Sequence, residues 1–284
     1  MSANHTAQKP GRFAVIGSPI AHSKSPLIHS AFAEETQRTL TYEAIEVSPE
    51  SLSGFVSEFF ADGGIGLNVT VPHKEAVYAL AEVSTARAQL ARAANTLSLD
   101  SQGRLRADNT DGAGLLGDLE NNHGTALKGK RLLMLGAGGA TRGVLAAVAD
   151  LPEAERPFCI TVANRTVAKA EALATDFAGR LAIAACGYEA AAASSFDIII
   201  NGTSASLSGE LPPLSSALVA PGCCCYDMMY DSAATAFQTW AREHGALLAI
   251  DGLGMLVGQA AESFYVWHGV RPSTAALISR LRSV

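Results

Sequence analysis

The chain has 284 residues, of which 48% are hydrophobic and 17% are charged. This composition is typical of a folded globular protein rather than a disordered one, and the length allows two modest hydrophobic cores. The formal net charge is −6 and no run of lysines or arginines offsets it, which argues against a general nucleic-acid-binding surface.

The sequence contains no signal for a membrane or for secretion. No apolar stretch is long enough to span a bilayer, and the polar residues 1–10 lack the apolar core of a secretion signal. We therefore expect a cytoplasmic protein. Cys223, Cys224 and Cys225 are adjacent rather than at the spacing of a zinc site or a disulfide framework, so they predict a buried strand.

Apolar segments alternate with helical segments in the N-terminal third. The predicted strands are residues 12–17, 42–47 and 64–69, and a helix is predicted after each, beginning near Pro26, Ser48 and Pro72. This alternation predicts an α/β domain with a largely parallel sheet. Residues 111–119 then have the apolar spacing of a helix that crosses to a second domain, with its first residue facing the cleft between them.

A glycine-rich turn follows the apolar run that begins at Arg131. Gly136, Gly138 and Gly139 would let backbone N–H groups and a helix N-terminus approach a pyrophosphate without obstruction by side chains. The last position of the strict G-x-G-x-x-G pattern is Thr141, and glycine-rich turns also serve as plain connections between a strand and a helix. The turn alone therefore leaves both interpretations open.

The next predicted strand ends at Asn164-Arg165-Thr166, where a dinucleotide-binding fold meets the adenine ribose. An acidic residue at this tip would accept hydrogen bonds from a free 2′-hydroxyl. Arg165 instead offers charge and donors to a 2′-phosphate, which favours NADP over NAD. Considered alone, Arg165 could also be a solvated arginine in a loop.

The rest of the chain continues this α/β pattern. After the strand at residues 158–163, further strands are predicted near residues 181–186, 196–201, 223–227 and 247–251. Residues 254–267 and 273–281 are helical by pattern and need not belong to the nucleotide domain. Within the first of these helices, Met255, Gln259 and Glu262 recur at i, i+4 and i+7 and so share one face.

Polar motifs lie just beyond apolar runs in the N-terminal part of the chain. They occupy residues 17–26, 68–74, 94–96 and 107–112. Ligands bind at the ends of strands in parallel α/β sheets, so we expect these motifs to converge on one pocket.

Together with residues 136–140, 164–166, 201–204, 226–230 and 251–262, these motifs resemble the shikimate dehydrogenase family over about residues 13–269. The resemblance implies reversible reduction of 3-dehydroshikimate to shikimate with NADPH, the fourth step of the shikimate pathway to chorismate and the aromatic amino acids. It also implies that Lys74 and Asp111 form the catalytic pair. Considered alone, Lys74 is more typical of a solvated lysine in the first turn of a helix, and Asp111 of a helix N-cap.

The same residue-by-residue match implies the ligand-binding residues. The substrate carboxylate would be bound by the hydroxyls of Ser23 and Ser25. The substrate hydroxyls and keto oxygen would be bound by Thr70, Lys74, Asn95, Asp111, Tyr226 and Gln259. The candidate cofactor residues are Gly136, Ala137, Gly138, Gly139, Ala140, Asn164, Arg165, Thr166, Lys169, Thr203, Met228, Gly252 and Met255.

We therefore expect a two-domain α/β enzyme with a cleft between its domains. Residues 1–110, completed by helices at 254–284, would form the substrate-binding and catalytic domain, and residues 111–253 a Rossmann-type NADP-binding domain. No metal site is predicted, and the assembly is either a monomer or a homodimer. Two alternatives stay open: a quinate/shikimate dehydrogenase with broader substrate or NAD use, and a non-catalytic module that binds NADP or a shikimate-like ligand.

Overall fold

The computed structural model describes residues 10–203, 205, 210–231 and 233–283. Ser204, which belongs to one of the motifs above, and residues 1–9 lie outside the described residues. The described strands are β1 (Gly11–Gly17), β2 (Leu40–Glu46), β3 (Gly64–Val69), β4 (Val83–Ser84), β5 (Thr96–Leu99), β6 (Leu105–Asp108), β7 (Arg131–Leu135), β8 (Cys159–Ala163), β9 (Ile183–Cys186), β10 (Phe196–Asn201), β11 (Val219–Asp227) and β12 (Leu248–Ile250).

The α-helices cover the faces of two sheets. They are α1 (Ser25–Glu35), α2 (Leu52–Ala61), α3 (Lys74–Leu80), α4 (Ala86–Ala91), α5 (Asp111–Gly117), α6 (Gly139–Asp150), α7 (Val167–Phe177), α8 (Tyr188–Ala191), α9 (Ala236–Glu243), α10 (Leu253–His268) and α11 (Ala275–Arg282). None of the helices in the described ranges combines the length and apolar character needed to cross a membrane.

The first sheet has the strand order β2-β1-β3-β5-β6-β4. The three strands predicted from the sequence, β1 to β3, are parallel to one another, but β5 runs antiparallel to both β3 and β6. Because β6 is antiparallel to β5 and β4 is parallel to β6, five of the six strands run in the same direction, and the prediction of a largely parallel sheet is confirmed. Because β5 runs in the reverse direction, its first residue lies at the same sheet edge as the last residues of β1 and β3.

The second sheet has the order β12-β11-β10-β7-β8-β9, and all its pairings are parallel. This is the doubly wound order of a Rossmann fold, in which the crevice at the reversal of strand order, here between β7 and β10, binds ligands. The predicted α/β class with a Rossmann-type domain is confirmed. Cys223, Cys224 and Cys225 lie buried in β11, as the sequence predicts.

Helix α5 is packed between the two domains without intervening side chains. A Cβ atom on Gly112 would lie 2.3 Å from the carbonyl oxygen of Gly143 in α6, and one on Gly114 would lie 2.3 Å from the backbone nitrogen of Gln259 in α10. Leu115 packs in the hydrophobic core of the second sheet. Asp111, at the start of the same helix, instead lies among residues from the ends of the first-sheet strands. The domain boundary at residues 110 and 111 stays a prediction, since α5 belongs to both.

We expect Gly114→Ala to lower the free energy of unfolding by about 1–3 kcal/mol, because its methyl group would have to push α10 away. Urea-induced unfolding measures the change. Gly117→Ala is the matched control in the same helix, since its Cβ would meet only Asn121 Nδ2 at 3.7 Å. Equal stability of the two variants would contradict the close packing described here.

Candidate active site

A cavity of about 370 Å³ lies between the two domains, at the ends of their strands. Strands β1 and β3 end beside it, and the reversed direction of β5 brings its first residues to the same edge. Predicted substrate residues from five separate segments line this cavity, so the polar motifs do converge on one pocket as expected. They are Ser23, Ser25, Thr70, Lys74, Asn95, Asp111 and Gln259.

The closest polar contact in the cavity joins Lys74 and Asp111. Lys74 Nζ donates to Asp111 Oδ2 over 2.6 Å, and Asn95 Nδ2 donates to Asp111 Oδ1 over 2.8 Å. The lysine side chain is 30% exposed and the aspartate 10% exposed, so a ligand can reach the ammonium group while the carboxylate stays enclosed. A fixed cation beside a cavity can donate a proton to a developing oxyanion.

Asn95 connects the carboxylate of Asp111 to the helix on the opposite wall. Its Nδ2 also lies 3.1 Å from Gln259 Oε1, and its Oδ1 accepts from the backbone nitrogen of Thr110 over 2.8 Å. Behind these groups, the buried hydroxyls of Thr96, Thr110 and Ser263 contact one another and complete the network. Buried polar groups that are all partnered in this way hold their geometry rigidly.

Two serines lie at the start of α1, where an anion is favoured. Ser25 is the first residue of the helix, and its backbone nitrogen donates to Ser23 Oγ over 3.3 Å. The N-terminus of a helix carries partial positive charge and unpaired N–H groups. The hydroxyls of Ser23 and Ser25 therefore suit a carboxylate at this end of the cavity.

The structure corrects the prediction for Tyr226. This tyrosine is fully buried in β11, where its hydroxyl donates to Asp118 Oδ2 over 2.7 Å and accepts from the backbone nitrogen of Met255 over 3.1 Å. Both hydrogen-bonding positions of the hydroxyl are thus used inside the protein. Tyr230, four residues later in the same motif, lines the cavity instead and was missed by the sequence analysis.

A second cavity, of about 520 Å³, opens where the strand order of the second sheet reverses. Gly136 has φ of +94°, a conformation that side chains disfavour, and it lies against Thr203, two residues beyond the end of β10. Thr141, which replaces the last glycine of the strict pattern, donates its hydroxyl to the Gly136 carbonyl over 2.9 Å and so closes the turn. Asn164 supports the same turn by accepting from the Ala137 nitrogen over 3.2 Å.

The residues of this second cavity fit a dinucleotide with a 2′-phosphate. A Cβ atom on Gly138 or Gly139 would meet no atom within 4 Å, so the turn leaves open space above the helix N-terminus. The exposed side chains of Arg165 and Lys169 line the cavity, and neither forms an ion pair with any acidic group of the described ranges. Two cations that are free to bind an anion are what a phosphate requires.

Most predicted cofactor residues line one of the two cavities. Gly136, Ala137, Gly138, Asn164, Arg165, Thr166, Lys169 and Thr203 line the second, and Met228, Gly252 and Met255 line the first. Gly139 and Ala140 instead form the first turn of α6, outside the wall of the second cavity. Tyr188 and Gly202 also line that wall but were not among the predicted cofactor residues: Gly202 lies within the motif at residues 201–204, whereas Tyr188 has no distinctive sequence context.

The three residues predicted to share one face of α10 have two different surroundings. Met255 and Gln259 line the first cavity, whereas the Glu262 carboxylate forms ion pairs with Arg87 and Arg271 behind it. Among the histidines near these residues, His22 lines the cavity and His29 is fully buried. Burial lowers the pKa of His29 to about 3, and its ring stacks on Tyr42.

Three family models match successive parts of the chain. The shikimate dehydrogenase substrate-binding domain matches residues 15–97, shikimate/quinate 5-dehydrogenase matches residues 118–208, and the shikimate 5′-dehydrogenase C-terminal domain matches residues 252–282.

Individual relatives match almost the whole chain. Shikimate dehydrogenase (NADP⁺) of Marinobacter nauticus is 53% identical over 275 residues, which cover 95% of this chain and 98% of the relative. Among solved structures, an Ael1 enzyme from Pseudomonas putida is 46% identical with a TM-score of 0.88, covering 95% and 98% of the two chains. Shikimate 5-dehydrogenase from Thermus thermophilus, solved with NADP(H) and shikimate, is 34% identical with a TM-score of 0.82, covering 96% and 99%.

We expect Tyr226→Phe to lower the free energy of unfolding by about 1–3 kcal/mol, because the buried carboxylate of Asp118 would lose a hydrogen-bond donor. Urea-induced unfolding is again the measurement. Tyr230→Phe serves as the comparison and should change stability by less than about 0.5 kcal/mol, since Tyr230 is only partly buried. A Tyr226→Phe protein as stable as the parent would contradict the structural role assigned to this hydroxyl.

Proposed function

This chain belongs to the shikimate dehydrogenase family, and from that premise we propose that it catalyses the reversible reduction of 3-dehydroshikimate to shikimate with NADPH. Family membership, predicted from the sequence motifs, is confirmed by the relatives. The observation that carries the proposal is the Lys74–Asp111 pair, at 2.6 Å, in a cavity lined by hydroxyls and amides. The reaction would be the fourth step toward chorismate and the aromatic amino acids.

Lys74 is proposed as the group that exchanges a proton with the substrate oxygen. NADPH, when bound, supplies a hydride to the ketone carbon, and negative charge then develops on the oxygen. The Lys74 ammonium stabilises this charge and donates the proton, and in the reverse direction the neutral amine accepts it from the alcohol. Asp111 orients the lysine through Oδ2, while Asn95 fixes the carboxylate through Oδ1.

The polar groups around the pair are proposed to select the substrate. Ser23 and Ser25, at the N-terminus of α1, bind the carboxylate, and Thr70, Asn95 and Gln259 bind ring hydroxyls together with Tyr230. This assignment replaces the earlier prediction for Tyr226. A site that hydrogen-bonds every hydroxyl rejects analogues that leave a buried polar group unpaired.

NADP is the proposed cofactor because the tip of β8 carries cations and no carboxylate. Arg165 and Lys169 bind the 2′-phosphate, and the turn from Gly136 to Gly138 leaves room for the pyrophosphate. Met228, Gly252 and Met255 lie on the wall between the substrate residues and the second sheet, where a nicotinamide ring would meet the substrate. Gly252 is needed there because a Cβ atom would lie 2.2 Å from the Met228 carbonyl oxygen.

Initial rates with shikimate and quinate, each crossed with NADP and NAD, test this function directly. We expect turnover with shikimate and NADP. Quinate is included because the model matched by residues 118–208 is described for both acids. Binding of NADP without turnover of either acid would instead support a non-catalytic binding module.

Arg165→Ser tests the cofactor assignment in the same assay. Because a charge-assisted hydrogen bond contributes about 1.5–3 kcal/mol, KM for NADP should rise about 10- to 100-fold while KM for NAD changes by less than about twofold. Arg180→Ser, which removes an exposed arginine outside the cavity, is the control. An equal effect of Arg165→Ser on both cofactors would contradict the assignment.

Lys74→Ala should lower kcat at least about 100-fold, since general acid–base catalysis contributes about that factor or more. The variant should still bind NADP, because Lys74 lies outside the second cavity. Lys128→Ala removes a lysine from an exposed ion pair with Glu155 and should keep full activity. A folded Lys74→Ala protein that retains most of its turnover would rule out the proposed proton donor.

A further inference from the structure

An ion cluster of four side chains lies behind the active-site cavity, and none of the four lines its wall. Arg87 Nε donates to Asp108 Oδ1 over 2.6 Å, and its Nη2 donates to Asp108 Oδ2 over 2.8 Å. The third guanidinium nitrogen, Nη1, lies 3.2 Å from Glu262 Oε1, and Arg271 pairs with the other oxygen of Glu262. The Arg87 and Asp108 side chains are only 17% and 4% exposed.

Removing the charges of this cluster from water costs free energy, which the attraction between the opposite charges offsets. Burial by itself raises the pKa of Asp108, but the hydrogen bonds and charge of Arg87 bring that pKa below its usual value. Ion pairs of this kind often contribute little net stability relative to apolar residues of similar volume, because both charges lose their hydration. The cluster therefore matters more for the positions that it fixes than for the stability that it adds.

Asp108 is the anchor of the turn that presents Asp111. It is the last residue of β6, and its Oδ1 also accepts from the backbone nitrogen of Asn109 and from Thr85 Oγ1, each over 2.7 Å. Asn109 then accepts from the backbone nitrogen of Asp111 over 3.2 Å. One carboxylate thus fixes the direction in which the chain leaves the strand and enters α5.

Glu262 places the second end of the cluster on α10, three residues beyond Gln259. Arg87 therefore joins the turn that carries Asp111 to the helix that carries Gln259. Asp111 and Gln259 are also connected in the cavity, where Asn95 donates to the side chains of both. Thr110 Oγ1 also contacts the Gln259 carbonyl oxygen and Ser263 Oγ, so the two elements are joined at several points, and the Arg87 guanidinium supplies the ionic connection behind the cavity.

We propose that Arg87 is a positioning residue for the reaction: by binding Asp108 and Glu262, it sets the orientation of Asp111 toward Lys74. The inference rests on the proposed function of that pair. A displacement of about 1 Å in a reacting group can reduce a rate about 100-fold. Loss of Arg87 is thus expected to lower turnover through Asp111, although Arg87 touches neither ligand.

The test compares Arg87→Met and Arg87→Lys with the parent protein. We expect kcat with shikimate to fall about 10- to 100-fold in Arg87→Met, with KM for NADP unchanged within about twofold. Arg87→Lys, which keeps the charge but not the planar pair of hydrogen bonds, should give an intermediate kcat. Arg104→Met is the control, because it removes an arginine from an exposed ion pair with Asp100.

A double-mutant cycle with Asp111→Asn separates positioning from stability. If Arg87 acts through Asp111, Arg87→Met should cost less than about twofold in kcat once Asp111 is already replaced. Additive losses, or reduced urea stability with unchanged kcat per folded molecule, would overturn the inference. If Arg87→Met does not fold, Arg87→Lys is used in the same cycle. Parent protein that binds NADP but does not oxidise shikimate would instead contradict the proposed function.

Discussion

The close contact of α5 with α6 on one side and α10 on the other is the constraint on which the rest of the structure depends. Glycine is required at Gly112 and Gly114 because backbone atoms of the neighbouring helices occupy the space of a side chain. This contact brings the end of the first sheet, α6 and α10 to one place. The first cavity lies where these three elements meet.

A polar network fills the region that this packing creates. Asn95 is its centre, since it contacts the Asp111 carboxylate, the Gln259 amide and the Thr110 backbone. Polar groups taken out of water must find partners in the protein, and here they partner one another along the cavity wall. Residues that are distant in the sequence are therefore fixed relative to each other before a ligand arrives.

The sequence predicted those parts of the fold that have a local pattern. The parallel strands, the glycine turn at Gly136 and the helix that begins near Asp111 each combine hydrophobic periodicity with recognisable turn residues. Strands β4 and β5 are two and four residues long, so their pairing with β6 depends on tertiary contacts that no local pattern records. For Tyr226 and Tyr230, the outcome depends on β11 ending at Asp227, which leaves one tyrosine in the core and the other on the cavity.

The solvent exposure of Arg165 and Lys169 has a consequence for how this protein can change over evolutionary time. Neither side chain packs in a core, so under the proposed 2′-phosphate assignment substitutions there would alter the selection between nucleotides at little cost to folding. Substitutions at Asn95 or Asp111 would disturb a buried network and, under the proposed function, the binding of substrate as well. The proposed assignments thus predict that a change of nucleotide preference is accessible through single mutations, whereas a change of carbon substrate requires coordinated ones.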